Sequence, residues 1–364
     1  MEKSTITLTR KIQLLIDVPA PEKKEIWEKL SRYQNRCFRA ANLIASHLYV
    51  QEMIKDFFYL TEEIQYKLAD LKKDEMGMFN RSKTNTTARM VCDRFKGEIP
   101  IDILGCLNNT IQSNFSKDKA DYWKGLKSLR NFKRDIPIPV PVKYITKMRY
   151  DAEKKAFCFN MLAIPMKTYL GKDFSDKRLI MERLLKKEIK LCTSQIQLKA
   201  GKIFWLAVFE LEKEEHLLKP EIIAEASLSL EHPIVAKANN VRINIGSKEE
   251  FLYRRLAIQA SQRRIQAAVA FSRSGHGVQR KQKALYKNEN RESRYVSHRL
   301  HLYSRKLIDF CIQQQAGTLI LKNQEDKIGI AKEQEFVLRN WSYYELQTKI
   351  KYKADKAGIE LIIG

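Results

Sequence analysis

No two of the six cysteines (Cys37, Cys92, Cys106, Cys158, Cys192 and Cys311) stand closer than fourteen residues apart, so the paired spacing of a zinc finger or a redox dithiol is absent. Thiols scattered in this way suit a reducing compartment, and a cytoplasmic location is expected. No apolar run approaches the roughly 20 residues of a membrane span. The start, Met-Glu-Lys-Ser-Thr-Ile-Thr-Leu, lacks the features of a signal peptide, and no membrane partner is expected. Neither Gly-x-Ser-x-Gly nor His-Glu-x-x-His occurs, which leaves hydrolase and zinc-protease readings without support.

Acids are the other shortage. The chain carries 67 Lys and Arg against 43 Asp and Glu, a formal net charge of +24. Such an excess goes beyond what solubility requires and implies a polyanionic partner, of which phosphate backbones are the usual kind. With 364 residues, 44% of them hydrophobic, the chain has room for two or three domains with cores of their own.

Residues 4–16 alternate apolar and polar side chains, which predicts a half-buried strand ended by Pro19 and Pro21. From Lys23 the period changes. Ile26, Leu30, Tyr33, Cys37 and Ala41 recur every three to four residues, and Leu48 to Leu68 continue in the same way, so helices are predicted to about Leu71. Asn85-Thr86-Thr87 predicts a helix start and Gly97-Glu98-Ile99-Pro100 a break, with helices resuming over 102–133. Residues 20–134 thus read as one helical lobe. At its end Lys124, Lys127, Arg130, Lys133 and Arg134 interleave with Tyr122, Trp123, Leu126, Leu129 and Phe132. A spacing of three puts Lys124, Lys127 and Arg130 on one helix face, which either follows a phosphate backbone or is simply solvated.

Ile136-Pro137-Ile138-Pro139-Val140-Pro141 closes the lobe, because alternating prolines enforce an extended chain. Residues 142–213 return to strand chemistry. The runs 157–162 and 202–209 are rich in aromatic and β-branched side chains, with a helical piece over 176–190 between them. The charged stretch from Glu212 reads as a linker, 214–224. Glu225 to Asn240 then reads as strand, turn at His232-Pro233, and strand.

The most basic region follows. Between Phe251 and Lys306 stand 14 Lys or Arg against two acids, Glu289 and Glu292, which is half the excess of the whole chain. Arg254, Arg255, Arg263, Arg264, Arg273, Arg280, Lys281 and Lys283 dominate it. Leu252, Leu256, Ile265 and Val269 recur at helical spacing, so a long helix is predicted with the arginines largely on one side, where a guanidinium can fork two phosphate oxygens. A Gly275-His276-Gly277 turn interrupts the region, with His276 read as a turn residue. Two later landmarks are Gly317-Thr318-Leu319-Ile320-Leu321-Lys322-Asn323-Gln324-Glu325 and the helical run from Leu338 to Ala354, followed by a strand starting at Gly358.

Taken in order, these landmarks resemble the miniature type V-F CRISPR effectors and the related transposon-encoded TnpB nucleases. The likeness covers about 225–363 by specific motifs, and 1–213 by architecture and the Pro-Ile-Pro segment. It implies an α+β multidomain fold: a wedge-type β-barrel (1–19 and 135–213), an inserted helical recognition lobe (20–134), and a degenerate, C-terminally truncated RNase H-like (RuvC) α/β domain (225–364). The wedge would grip the guide RNA scaffold and the end of the target duplex. The family's first catalytic aspartate falls on Ser227, or on Ser229 in a gap-free match to TnpB. Its second acid, a glutamate, falls on Lys322. A zinc ribbon and a third acid would lie beyond Gly364.

The resemblance implies a guide RNA and target double-stranded DNA as partners, with a homodimer on one guide as a further expectation. The replaced acids lead to the expectation of a protein that is not an enzyme, with no magnesium and no zinc, working in bacteria at nucleoid DNA. Such a protein would control transcription by recruiting a sigma factor and RNA polymerase or by steric repression. Residues expected to read the motif beside the target are Arg36, Arg39 and Asn42. The alternatives are an RNA-guided nuclease with relocated metal ligands, and an RNA-binding accessory protein without DNA targeting.

Overall fold

The computed structural model describes residues 5–58, 83–171, 176–213, 216–227, 231–271, 278–288, 290–322 and 343–364. The chain divides into two compact units, one over Thr7–Leu211 and one over Met1–Ile6 with Glu212–Gly364. The fold is mixed α+β.

In the first unit β1 (Thr5–Ile16) leads into three helices, α1 (Ala20–Phe58), α2 (Lys83–Arg94) and α3 (Ile101–Trp123). The helices pack through Leu30, Cys37, Ile44 and Leu48 of α1, Val91 of α2, and Ile103, Leu107 and Ile111 of α3, all buried. The strands β2 (Ile138–Val140), β3 (Ile145–Asp151), β4 (Ala156–Met161) and β5 (Ile164–Tyr169) come next. Helix α4 (Lys177–Leu185) and the strands β6 (Lys190–Leu191), β7 (Ser194–Lys199) and β8 (Lys202–Glu212) complete the unit. The sheet runs β2-β7-β8-β1-β5-β4-β3, with β6 paired to β8.

Period-two patterning accounts for this sheet. Every second residue of β8 from Ile203 to Leu211 is buried, which turns Trp205 and Phe209 into one face and leaves the alternate side chains on the other. Trp205 packs on Phe159 of β4 with ring centroids 5.1 Å apart. The predicted strand at the N-terminus, the strands near 157–162 and 202–209, and the helical piece near 176–190 are all present, the last shorter than predicted.

The second unit builds a five-stranded sheet in the order β11-β10-β9-β12-β13. Its strands are β9 (Lys219–Ser227), β10 (Ile234–Ala238), β11 (Val241–Ile245), β12 (Ala316–Leu321) and β13 (Glu360–Ile363). Between β11 and β12 stand α5 (Lys248–Phe271), α6 (Val278–Asn288) and α7 (Arg291–Gln313), and α8 (Tyr343–Ala357) precedes β13. Strands β9, β10 and β11 pair antiparallel, whereas β9–β12 and β12–β13 pair parallel. The core gathers Ala224, Ala226 and Ile234 of the sheet with Leu300, Tyr303, Leu307 and Cys311 of α7 and Ile350 and Ala354 of α8.

Strand β9 begins at Lys219, so most of the stretch read as a linker over 214–224 is strand. Its charged residues misled the reading, since only Ala224 and Ala226 turn inward. Asn239 and Asn240 form a two-residue turn between β10 and β11 with φ of 47° and 64°. Asparagine tolerates that left-handed backbone, which a tight hairpin requires at both positions. Gly246 closes the same layer at φ 76°, and its carbonyl accepts a hydrogen bond from His232 Nδ1 at 2.8 Å.

A Cβ at Gly246 would stand 2.7 Å from the Tyr303 ring on a backbone that disfavours side chains. Gly246→Ala is therefore expected to destabilise the second unit by about 2 kcal/mol. Denaturant titration checks this, and an unchanged midpoint would contradict the packing described.

Candidate nucleic-acid interface

The two positions singled out as former acid sites, Ser227 and Lys322, meet in space. Register pairs Ala226 of β9 with Leu321 of β12, and the Lys322 amide donates to the Ala226 carbonyl at 2.9 Å. Ser227 and Lys322 thus flank each other at the carboxyl ends of the two central parallel strands, the end where open α/β sheets form crevices. Ser229, the alternative position, lies outside the described residues.

A carboxylate is present there after all. Glu225, two residues before Ser227, places Oε2 2.7 Å from Lys322 Nζ. That contact holds the Glu225 carboxyl below its usual range, with the hydrogen bond as the main cause. Two residues along a strand span about 6.5 Å, so Glu225 does not stand at the Ser227 position itself. Magnesium would need several oxygen ligands in octahedral geometry. Among the described residues no three His, Cys, Asp or Glu side chains come together to hold a metal ion. Glu325 and Asp326 lie outside the described residues.

The expected cations divide into two kinds. The predicted helical row over 124–130 is not a helix: α3 ends at Trp123 with Lys124 as its cap, and Gly125 follows at φ 69°. Lys127 and Arg130 fold back on Asp118, which accepts from Lys127 Nζ at 3.1 Å and from Arg130 Nε and Nη2 at 2.8 and 2.6 Å. Buried Asp118 calls for paired cations more strongly than the helix period calls for continuation. By contrast Lys124, Lys133 and Arg134 stay exposed and meet no acid among the described residues.

The expected motif-reading residues make internal contacts. Asn42 Nδ2 donates to the Phe132 carbonyl at 3.1 Å while the Phe132 amide donates to Asn42 Oδ1 at 2.9 Å, clamping the basic segment to α1. Arg36 pairs with Glu98, and Arg39 lies over the Phe95 ring.

In the second unit Arg254, Arg263, Arg264 and Lys283 are exposed and unpaired among the described residues. They do not share one side of α5. Arg254 and Arg263 are nine residues apart, two and a half turns, which sets them on opposite faces. Arg255 turns inward instead, with Nε 2.5 Å from Glu292 Oε1, and Gln259 donates to the same oxygen. It fastens α5 to α7. Arg280 and Lys281 fall on α6, while Arg273 and His276 lie outside the described residues. The sequence reading missed Tyr253 and Tyr286, 79% and 63% exposed. Exposed rings beside cations have the chemistry to stack on bases, and the Tyr253-Arg254 neighbours were the available signal.

By sequence the chain is a relative of the miniature type V-F CRISPR effectors, as expected. The particular relatives are named Cas12f1. It is 25% identical over 276 residues, 71% of the chain, to the CRISPR-associated endodeoxyribonuclease Cas12f1 of Sulfoacidibacillus thermotolerans. It is 28% identical over 204 residues to the protein of that name from Syntrophomonas palmitatica. The matches span 65% and 40% of those relatives' lengths. No family model matches. The fold matches a chain of a solved Cas12f1-sgRNA-target DNA complex with a TM-score of 0.67 at 16% identity, over 98% of this chain and 88% of that one.

The expectation of a protein that is not an enzyme is overturned by these names. The relatives are endodeoxyribonucleases, which are enzymes, and replacing the acids expected at 227 and 322 does not establish an inactive site. Among the described residues no helix is long and apolar enough to cross a membrane.

The Asp118 cluster has a pH signature. Hydrogen bonds from Arg130, then Lys127, hold the Asp118 carboxyl below its ordinary range. A depressed carboxyl stabilises the fold fully above its unfolded value, and the contribution is lost as pH falls through the folded value. Protection of the Leu126 and Lys127 amides, both bonded to the Asp121 carbonyl, is expected to fall over that acidic window. In Asp118→Asn it is expected to be low already at neutral pH. Hydrogen exchange corrected for intrinsic rates reads both, and full protection in the variant would contradict the assignment.

Proposed function

We propose that this chain is an RNA-guided DNA-targeting protein: a bound guide RNA selects the duplex by base pairing, and the protein holds the nucleic acid through its phosphates. The observation that carries this reading is that seven of the cations expected to bind nucleic acid, Lys124, Lys133, Arg134, Arg254, Arg263, Arg264 and Lys283, are exposed and meet no acid among the described residues, in a chain related to Cas12f1 proteins. In recognition of this kind the protein grips the heteroduplex by its backbone and leaves sequence to the guide. The second unit, a mixed sheet with helices between its strands, supports the RuvC-like reading of residues 225–364. The sheet of the first unit supports the wedge-like reading, with helices α1 to α3 as the inserted recognition lobe. Occupancy of the target acts on transcription of nucleoid DNA, by recruiting a sigma factor and RNA polymerase or by blocking polymerase, with one or two protein copies on the guide.

A second reading has its own support. The relatives are named for cutting DNA, and Glu225 brings a carboxylate to the strand ends beside Ser227 and Lys322. In it the guided complex cleaves its target.

The test is binding of guide-loaded protein to matched and scrambled duplexes, with and without magnesium. The matched duplex is expected to bind tighter, and equal affinity for both would overturn DNA targeting in favour of an RNA-binding accessory role. In the double variant Arg263→Ala/Arg264→Ala, affinity is expected to fall for every sequence alike, with a loss of about 2 in the slope of log affinity against log salt. A magnesium-dependent product from the matched duplex, lost in Glu225→Gln, would establish the second reading.

A further inference from the structure

The first unit holds a cleft lined by residues of β1, α1 and the β7–β8 turn. It has a volume of about 590 Å³ and opens beside the end of β1, within the size range of small-ligand sites. Leu14 and Ile203, both buried, form an apolar floor, and the half-buried indole of Trp27 stands at one wall. Lys23, Lys24 and Lys202 line the rim. All three are exposed, and none meets an acid among the described residues. A fourth lysine of the lining, Lys167, is neutralised by Asp17 at 3.0 Å.

We propose that this cleft takes one unpaired nucleotide of a bound strand, its base stacked on Trp27 and its flanking phosphates on Lys23, Lys24 and Lys202. The chemistry argues for it directly. An apolar floor with an aromatic wall accepts the face of a base regardless of its identity, and unpaired rim cations suit the phosphates on either side. An acidic peptide would use the lysines and leave the indole and floor without a partner. The Lys23-Lys24 pair one helical turn before Trp27 puts cation and ring on neighbouring positions of α1. Lys202 comes from the turn joining β7 to β8, where Ala200 and Gly201 both take positive φ. The idea rests on the nucleic-acid reading above and adds a specific place for a single nucleotide.

The experiment measures binding of the full chain to a labelled oligouridylate RNA and, in parallel, to an oligothymidylate DNA across a salt series. Trp27→Ala is expected to weaken binding about tenfold in the arm that uses the cleft, with Trp27→Phe restoring most of it. The triple variant Lys23→Ala/Lys24→Ala/Lys202→Ala changes only exposed side chains and guards against misfolding of the tryptophan variant. It is expected to lower the salt slope by about 2. The arm with the larger loss identifies RNA or DNA as the source of the nucleotide. If wild type binds and both variants bind equally well with an unchanged slope, the cleft is not a nucleotide site, while the proposed function stands. If wild type binds neither oligonucleotide, the cleft and the proposed function fall together.

Discussion

The parallel pairing of β9 with β12 is the constraint on which the second unit depends. It is the join between an antiparallel half, β11-β10-β9, and a parallel half, β12-β13. Its register turns Ala224 and Ala226 into the core under α7 and α8. Small residues are needed at that point. Gly317 of β12 sits so close to the Lys219 carbonyl that a Cβ would approach to 2.9 Å. The same register sets Ser227 beside Lys322 and brings Glu225 to Lys322 at the strand ends. A one-residue slip would turn the alanines to solvent and the glutamate into the core.

Charge is organised by a different rule. A chain with a net +24 repels itself, and folding ties down the cations that local geometry forces close together. Asp118 gathers Lys127 and Arg130, and Glu292 gathers Arg255. What remains unpaired is the part of the excess available to a polyanion. The surface left open to a polyanion is therefore smaller than the count of Lys and Arg suggests.

Much of this was legible in the residues. The N-terminal strand, the strands near 157–162 and 202–209 and the extended proline segment that contains β2 follow from period and side-chain chemistry, and the order of the later landmarks carried the likeness to type V-F effectors. Two features escaped for physical reasons. Helix α3 stops at Trp123 because a buried aspartate nine residues before Lys127 recruits that lysine, a tertiary demand that a spacing of three does not reveal. The arginines of α5 are spread by a nine-residue interval that reads as clustering in one dimension. The inference from two replaced acids to a protein that is not an enzyme is overturned by the names of its relatives, since two positions in a motif do not define a whole site.

The central claim is that the unpaired cations, and not the ion-paired ones, hold nucleic acid. Lysine and arginine footprinting of the chain, with and without guide RNA and matched duplex, tests it most directly. The account predicts protection at Arg254, Arg263, Arg264 and Lys283 on one unit and Lys124, Lys133 and Arg134 on the other, with Lys127, Arg130 and Arg255 unchanged. Protection confined to the paired set, or spread evenly over every cation, would contradict it.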